Sequence, residues 1–207
     1  MAGRSIRKLA IRNLAAAATV FLMLGTGSVA WAAPAAERIV LGVIDYSGLA
    51  PSDLARAEAE ASRVYARIGV DVTWTTSSTF STGTDVPVAP EDRSRFFTVL
   101  ILSRTMAERL INADHVQDNV LGRAVRPTRR ANIFMHRVDE AARGAAGFAT
   151  LLGKVIAHEV GHLLLPGGHT EEGIMQGNLY PGNCRSLWFS EAQGAEIRSR
   201  LSRPGQT

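Results

Sequence analysis

Hydrophobic and polar positions along the chain separate extended from helical segments. Nearly continuous apolar runs at Ile39–Ile44 and Phe96–Leu102 are typical of buried strands, and the alternation over Val70–Trp74 predicts another strand. From Pro51 to Gly69, apolar side chains recur three and four positions apart. That spacing predicts a helix that begins at Pro51 and ends with Gly69 as its C-cap.

Segments with few hydrophobic residues are predicted to be loops and turns. Residues 75–92 are rich in Ser, Thr, Gly and Pro, and residues 112–119 form a polar stretch. Residues 126–130 contain a proline among basic residues and are typical of a turn. The apolar residues that follow predict a strand over Ala131–Val138.

Two more helices are predicted in the C-terminal third. The first covers Thr150–Leu165 and is stopped by a Pro-Gly-Gly sequence at residues 166–168. The second runs to Leu201, and Ser190 with Gln193 forms a capping box at its start. The order strand–helix–strand–strand–strand–helix–helix predicts an α+β fold, a single domain with helices packed on a mixed β-sheet.

The N-terminal segment has the layout of a secretory signal peptide. Four basic and no acidic residues precede residue 13, an apolar run continues to Val29, and Ala30-Trp31-Ala32 is a small-x-small cleavage site. A Gly-Thr-Gly-Ser break at residues 25–28 shortens the apolar run, which disfavours a permanent membrane span. We expect cleavage after Ala32, a mature domain at residues 33–207, and a secreted or periplasmic location in a bacterium.

Removing this segment changes the charge of the chain. The sequence holds 23 basic and 19 acidic residues, and four basic ones lie in the signal segment, so the mature chain is formally neutral. The basic pI is therefore no reason to expect nucleic-acid binding.

Cys184 is the only cysteine, so no intrachain disulfide can form. We expect a monomer in which Cys184 is buried and inert.

Residues 158–162 read His-Glu-Val-Gly-His inside a predicted helix. Positions four apart share a helix face, so His158 and His162 can direct imidazole nitrogens at one ion, about 2.0–2.1 Å from each for zinc. Glu159 lies one position round, where it can act as general base on a water activated by the metal. Apolar neighbours predict a helix buried on one side, where histidines without a partner would be costly. The sequence therefore predicts a zinc site.

A catalytic zinc site also needs a third protein ligand and an open position. His169 follows the Pro-Gly-Gly sequence, whose flexible glycines let the chain turn back, and it is the favoured candidate. Glutamates are alternatives. Glu171 and Glu172 come directly after His169, and Glu191 and Glu196 lie on the last predicted helix, where a gluzincin-like site would draw its ligand.

The segment Leu152–Met175 resembles the metzincin clan of zinc peptidases, whose motif is His-Glu-x-x-His-x-x-Gly-x-x-His followed by a methionine-containing turn. The resemblance implies a metzincin-like domain with His158, His162 and His169 as ligands and Met175 in the turn beneath the metal. The same segment resembles uncharacterised exported bacterial proteins with a Gly-Ile-Met turn. The third histidine arrives one residue later than the strict spacing, a difference that the Pro-Gly-Gly turn is expected to absorb.

These observations predict a zinc-dependent endopeptidase that acts on peptide or protein substrates. The alternatives are an exported zinc-binding protein without peptidase activity, the gluzincin-like peptidase, and a hydrolase of non-peptide amides in the cell envelope. By analogy with the clan, Ala131–Val138 is the expected edge strand for pairing with substrate. Tyr180 is a candidate oxyanion donor for which packing is the favoured role, and His115 and His136 are expected to be structural or surface residues.

Overall fold

The computed structural model of the protein describes residues 36–76, 90–142 and 147–203. The strands are β1 (Glu37–Asp45), β2 (Val70–Thr76), β3 (Phe96–Leu102), β4 (Gly122–Val125) and β5 (Arg130–Phe134), and the helices are α1 (Pro51–Ala66), α2 (Arg104–Asp114), α3 (Met135–Ala142), α4 (Phe148–Leu164), α5 (Pro181–Cys184) and α6 (Glu191–Leu201). None of these helices combines the length and apolar character needed to cross a bilayer. The predicted signal segment and most of the loop at residues 75–92 lie outside the described residues.

The strands form one mixed sheet in the order β2–β1–β3–β5–β4. Strands β2, β1, β3 and β5 are parallel, whereas β4 is antiparallel to β5 and lies at the end of the order. An N-terminal helix (α1), the helix with the His-Glu-x-x-His motif (α4) and a C-terminal helix (α6) accompany the sheet. The expected α+β domain with a mixed sheet is thereby confirmed.

The expectation for Ala131–Val138 is wrong in two respects. The strand ends at Phe134, and Met135 begins α3 without an intervening loop. In addition, β5 pairs with β3 on one side and β4 on the other, so its backbone groups are already bonded and cannot pair with a substrate. The two edge strands of the described sheet are β2 and β4, and β4 is a strand that the hydrophobic pattern did not predict.

Helix α2 occupies a region for which no element was predicted. Ser103 caps its N-terminus by accepting a hydrogen bond from the Met106 N–H at 3.4 Å. Ala107 is the one buried residue of this helix, so its apolar stripe is too narrow to appear as a clear helical repeat. His115 follows the helix as its C-cap and adopts the left-handed conformation with φ of 51°.

Helices cover both faces of the sheet. Along β3, Phe97, Val99 and Ile101 belong to the main core, whereas Leu100 and Leu102 belong to a smaller cluster that includes residues of α2. Alternate side chains of a strand point to opposite faces. Residues of α1 and α4 lie in the main core, so these two helices pack on one face and α2 packs on the other.

A buried ion pair joins α1 to α4. The Lys154 Nζ lies 3.2 Å from a carboxylate oxygen of Glu60, and both residues are buried. The same Nζ donates to the Leu187 carbonyl at 2.6 Å and lies 3.5 Å from the centre of the Trp188 ring. These contacts fix α4 one turn before His158.

Candidate metal centre

Helix α4 carries the first two histidines of the site. Its residues from Leu151 to Gly161 are all buried. His158 and His162 lie one turn apart, and their Nε2 atoms are 3.0 Å from each other. Two nitrogens bound tetrahedrally to one zinc ion lie about 3.4 Å apart, so this separation is close to that of two ligands facing a common ion.

The ring of His158 is oriented by the chain that follows the helix. Its Nδ1 lies 2.7 Å from the Ile174 carbonyl oxygen. A carbonyl can only accept, so Nδ1 carries the proton and Nε2 keeps a lone pair. Hydrogen bonds of this kind fix the tautomer and direction of metal-binding histidines.

The chain turns back after α4 and brings a third histidine to the same point. The helix ends at Leu164, and Pro166 cannot continue it. One ring nitrogen from each of His158, His162 and His169 lies within 4.8 Å of the others. The ring centre of His169 is 5.3 Å from that of His158 and 4.9 Å from that of His162. The turn thus accommodates the additional residue before His169.

Within the described part of the chain, these three histidines are the one group of His, Cys, Asp or Glu side chains placed to share an ion. None of the four alternative glutamates, at positions 171, 172, 191 and 196, belongs to this group. Cys184 ends α5, and its side chain lies outside the described residues. Three imidazole donors suit a zinc ion.

The turn over residues 170–175 is tied to α4. The Thr170 N–H donates to the Met175 carbonyl at 2.9 Å, which closes the turn. Met175 is fully buried, and a Cβ placed on Gly161 would lie 2.7 Å from its sulfur. Met175 is therefore in close contact with the helix that carries His158 and His162.

Glu159 is buried between α4 and β4. Its carboxylate accepts a hydrogen bond from the Ala124 backbone N–H, and a Cβ on Gly122 would lie 2.9 Å from its Oε1. Burial raises the pKa of Glu159 to about 8, and the hydrogen bond from Ala124 acts in the opposite direction. A dication held by the histidines would favour the carboxylate form through its charge.

Both histidines of α4 are held in the neutral form. Burial lowers the pKa of His158 to about 4 and that of His162 to about 3. At His162, positive charge on the neighbouring histidines and on Arg126 lowers the pKa further. Metals bind neutral imidazole, so both side chains offer a lone pair at neutral pH.

The histidines and Glu159 open into one cleft with a volume of about 680 Å³. It is lined by β4 and the segment before it, by α4, and by residues 166–169. Leu121, Val155 and Leu179 add apolar surface beside the polar groups. A concave, partly apolar site with a few convergent polar groups is typical of ligand-binding clefts.

The other residues singled out from the sequence do not join this site. His115 ends α2, and His136 lies on α3, where burial and nearby arginines lower its pKa. Tyr180 is 54% exposed and does not line the cleft, so it lies neither in the core nor beside the histidines. Phe189 is buried in the core, where its ring centre lies 5.2 Å from that of Tyr65.

Comparison with known proteins gives a likeness to two solved structures at low identity. No model of a known protein family matches the chain, and no curated protein matches it. The archaemetzincin of Methanopyrus kandleri is similar with a TM-score of 0.49 and 15% identity, over 82% of this chain and 99% of that one. The archaemetzincin of Archaeoglobus fulgidus complexed with malonate is similar with a TM-score of 0.44 and 11% identity, over 77% and 99%. A function for this chain must therefore be argued from its own side chains.

Three residues near the site were not indicated by the sequence. Gly122 and Ala124 act through the absence of a side chain and through a backbone N–H, neither of which leaves a pattern in a single sequence. Arg126 lies in a segment predicted only as a turn, and the carbonyls it binds are 36 to 41 residues further along the chain.

Proposed function

We propose that the protein is a zinc-dependent endopeptidase whose metal is held by His158, His162 and His169. The observation that carries the proposal is the convergence of three histidine nitrogens, within 4.8 Å of one another, beside the buried carboxylate of Glu159. Catalytic zinc sites keep three protein ligands and an open position, whereas structural sites are closed by four. Among the described residues, no fourth ligand belongs to the group, which supports the catalytic alternative.

The proposed mechanism divides the work between metal and protein. A bound zinc ion supplies a Lewis acid, which polarises the scissile carbonyl and makes water a better nucleophile at neutral pH. Glu159 accepts a proton from the attacking water and passes it to the leaving amine. The hydrogen bond from Ala124 orients this carboxylate, and Gly122 leaves room for it because it has no side chain. The base is therefore positioned before the substrate arrives.

The position of β4 supports a peptide substrate. This strand pairs with β5 on one side, has no strand partner on the other among the described residues, and lines the cleft. An extended peptide can add to such an edge through main-chain hydrogen bonds. We therefore propose β4, in place of the strand first expected, as the surface that aligns an internal stretch of a polypeptide with the histidines. Main-chain pairing of this kind favours peptides over small amides.

We further propose that the domain works outside the cytoplasm as a monomer. The basic, apolar and small-residue regions of residues 1–32 support export and cleavage after Ala32. The formally neutral mature chain supports a role that does not involve nucleic acid.

Zinc content and peptide hydrolysis of the purified protein test this function. The wild type is expected to hold about one zinc ion per chain and to cleave members of a peptide library. Glu159→Gln removes the base with little change in shape, and it is expected to lower kcat by about 10²- to 10⁴-fold while zinc is retained. Glu140→Gln makes the same change at an exposed residue of α3 and is expected to keep full activity.

The outcomes separate the proposed function from its alternatives. A wild type without zinc, or a kcat that Glu159→Gln leaves unchanged, would contradict the proposal. Zinc binding without hydrolysis of any peptide would instead favour the exported zinc-binding protein.

A further inference from the structure

Arg126, the residue directly after β4, binds the end of the metal-site helix. Its Nε donates to the His162 carbonyl at 2.9 Å. Its Nη2 lies 2.9 Å from the carbonyl oxygen of Leu165, 3.1 Å from that of Gly167 and 3.4 Å from that of Pro166. One guanidinium thus contacts four backbone carbonyls, that of His162 and those of residues 165–167, in the segment that leads from the second histidine to the third.

Arg126 supplies donors to a helix end and to the turn after it. The last four carbonyls of an α-helix have no partner within the helix, and that of His162 is one of these, since α4 ends at Leu164. The other three carbonyls belong to the turn at residues 165–167. The turn that follows has little packing of its own, because a Cβ on Gly167 or Gly168 would meet nothing within 4 Å. Glycines also leave the unbound chain many conformations. The hydrogen bonds from Arg126 therefore restrain the turn that leads to His169.

We propose that Arg126 positions His169 as the third metal ligand. This inference rests on the proposed zinc site and assigns the residue a positioning role, since its guanidinium contacts backbone carbonyls. Without Arg126 the turn at residues 165–168 has more conformational freedom. Zinc binding must then order this turn, and the lost conformational entropy lowers the affinity for zinc. The planar guanidinium can serve several acceptors at once, and a lysine ammonium on its flexible stem cannot reproduce that arrangement.

The charge and the geometry of Arg126 predict opposite effects on zinc affinity. A positive charge near the ion repels it, so loss of the charge alone would tighten zinc binding. Loss of the hydrogen bonds would weaken zinc binding, because His169 is no longer held near His158 and His162. Arg126→Lys keeps the charge and removes the fork of donors, so it isolates the geometric effect.

Zinc affinity, measured by competition with a chromophoric chelator, tests the proposal in the purified protein. Arg126→Ala and Arg126→Lys are each expected to weaken zinc binding by about 10- to 100-fold, the range found for residues that orient metal ligands. In a His169→Ala background, Arg126→Lys, which keeps the charge, is expected to change affinity by less than about 2-fold, because the effect of the lost hydrogen bonds passes through His169. If the alanine variant does not fold, the lysine variant in both backgrounds provides the same comparison.

Arg198→Ala is the matched control. Arg198 lies on α6, outside the cleft, and its side chain donates to the Ile68 backbone carbonyl at 2.7 Å. This variant is expected to lower thermal stability and leave zinc affinity unchanged. Unchanged affinity in Arg126→Lys, additive losses in the double variant, or an equal loss in Arg198→Ala would each overturn the role of Arg126. If the wild type binds no zinc, the proposed function falls with it. If the wild type binds zinc and Arg126→Lys binds it equally well, only the role of Arg126 falls.

Discussion

The closest constraint on Glu159 comes from Gly122, a residue without a side chain. A Cβ at this position would lie 2.8 Å from the Glu159 Cγ, 2.9 Å from its Oε1 and 2.9 Å from the Asn132 carbonyl oxygen. The carbonyl belongs to the sheet backbone and cannot easily move. The added methyl group must therefore displace the carboxylate.

Gly122→Ala is expected to lower kcat by about 100-fold, since a shift of about 1 Å in a catalytic group has an effect of that size. Zinc content is expected to stay at the wild-type level, because His158, His162 and His169 are not touched. Steady-state kinetics and a zinc assay on one preparation check both parts. Wild-type kcat in this variant would show that β4 does not position the base.

At the residue scale, the sequence predicted the positions of side chains that depend only on the geometry of their own segment. His158 and His162 could be placed on one face because helical periodicity involves only their own segment. The convergence of His169 depends on a turn whose path the sequence does not determine, so the glutamate alternatives stayed open until the structure grouped the histidines. Gly122 and Arg126 act through backbone atoms of distant segments, which residue types do not reveal.

At the scale of elements, the buried ion pair between α1 and α4 is a contact sensitive to a single change. Lys154→Met is expected to lower the free energy of unfolding by up to about 3–5 kcal/mol, because the buried Glu60 then keeps only the largely exposed Arg63 as an ion-pair partner. Replacing both residues with apolar ones is expected to recover most of this loss. Urea denaturation of the single and double variants measures the difference.

Arg63→Ala is the control for that comparison. Arg63 pairs with the same Glu60, but its own side chain is 63% exposed. Exposed ion pairs contribute about 0–1 kcal/mol, so the change is expected to be small. Equal losses in Arg63→Ala and Lys154→Met would contradict the importance given to the buried contact.

The elements that the sequence predicted are those with long or strongly patterned segments. Strands β1, β2 and β3 and helices α1, α4 and α6 were anticipated, and the Ser190–Gln193 capping box is present. Helix α2 buries only Ala107, and β4 has four residues, so neither offers a pattern long enough to recognise. The passage from β5 to α3 at Met135 has no Gly or Pro, which explains why the strand was extended too far.

At the scale of the whole molecule, strand order could not be read from the sequence. The order of elements predicts a mixed sheet, but which strand lies at the edge depends on how distant segments pack. For this reason the strand proposed to pair with substrate is β4 instead of Ala131–Val138. The predicted signal segment stays a prediction, because it lies outside the described residues.

Metal binding is expected to stabilise the entire domain. A ligand that binds only the folded state stabilises it by about 4 kcal/mol at 1,000 times its Kd, and for a domain of this size each kcal/mol raises Tm by about 2–4 °C. Chelation by EDTA is therefore expected to lower Tm by about 8–16 °C from the zinc-saturated value. His158→Ala is expected to abolish this difference, and His136→Ala on α3 to preserve it. Equal melting of the wild type with and without zinc would contradict the link between site and fold.

The central claim is that three histidines hold one zinc ion beside Glu159. The most direct test is a crystal structure of the zinc-loaded protein with an anomalous difference map at the zinc edge. The account predicts one peak in contact with Nε2 of His158, Nε2 of His162 and a ring nitrogen of His169, each about 2.0–2.1 Å away. A peak elsewhere, or a glutamate carboxylate in the place of His169, would contradict it.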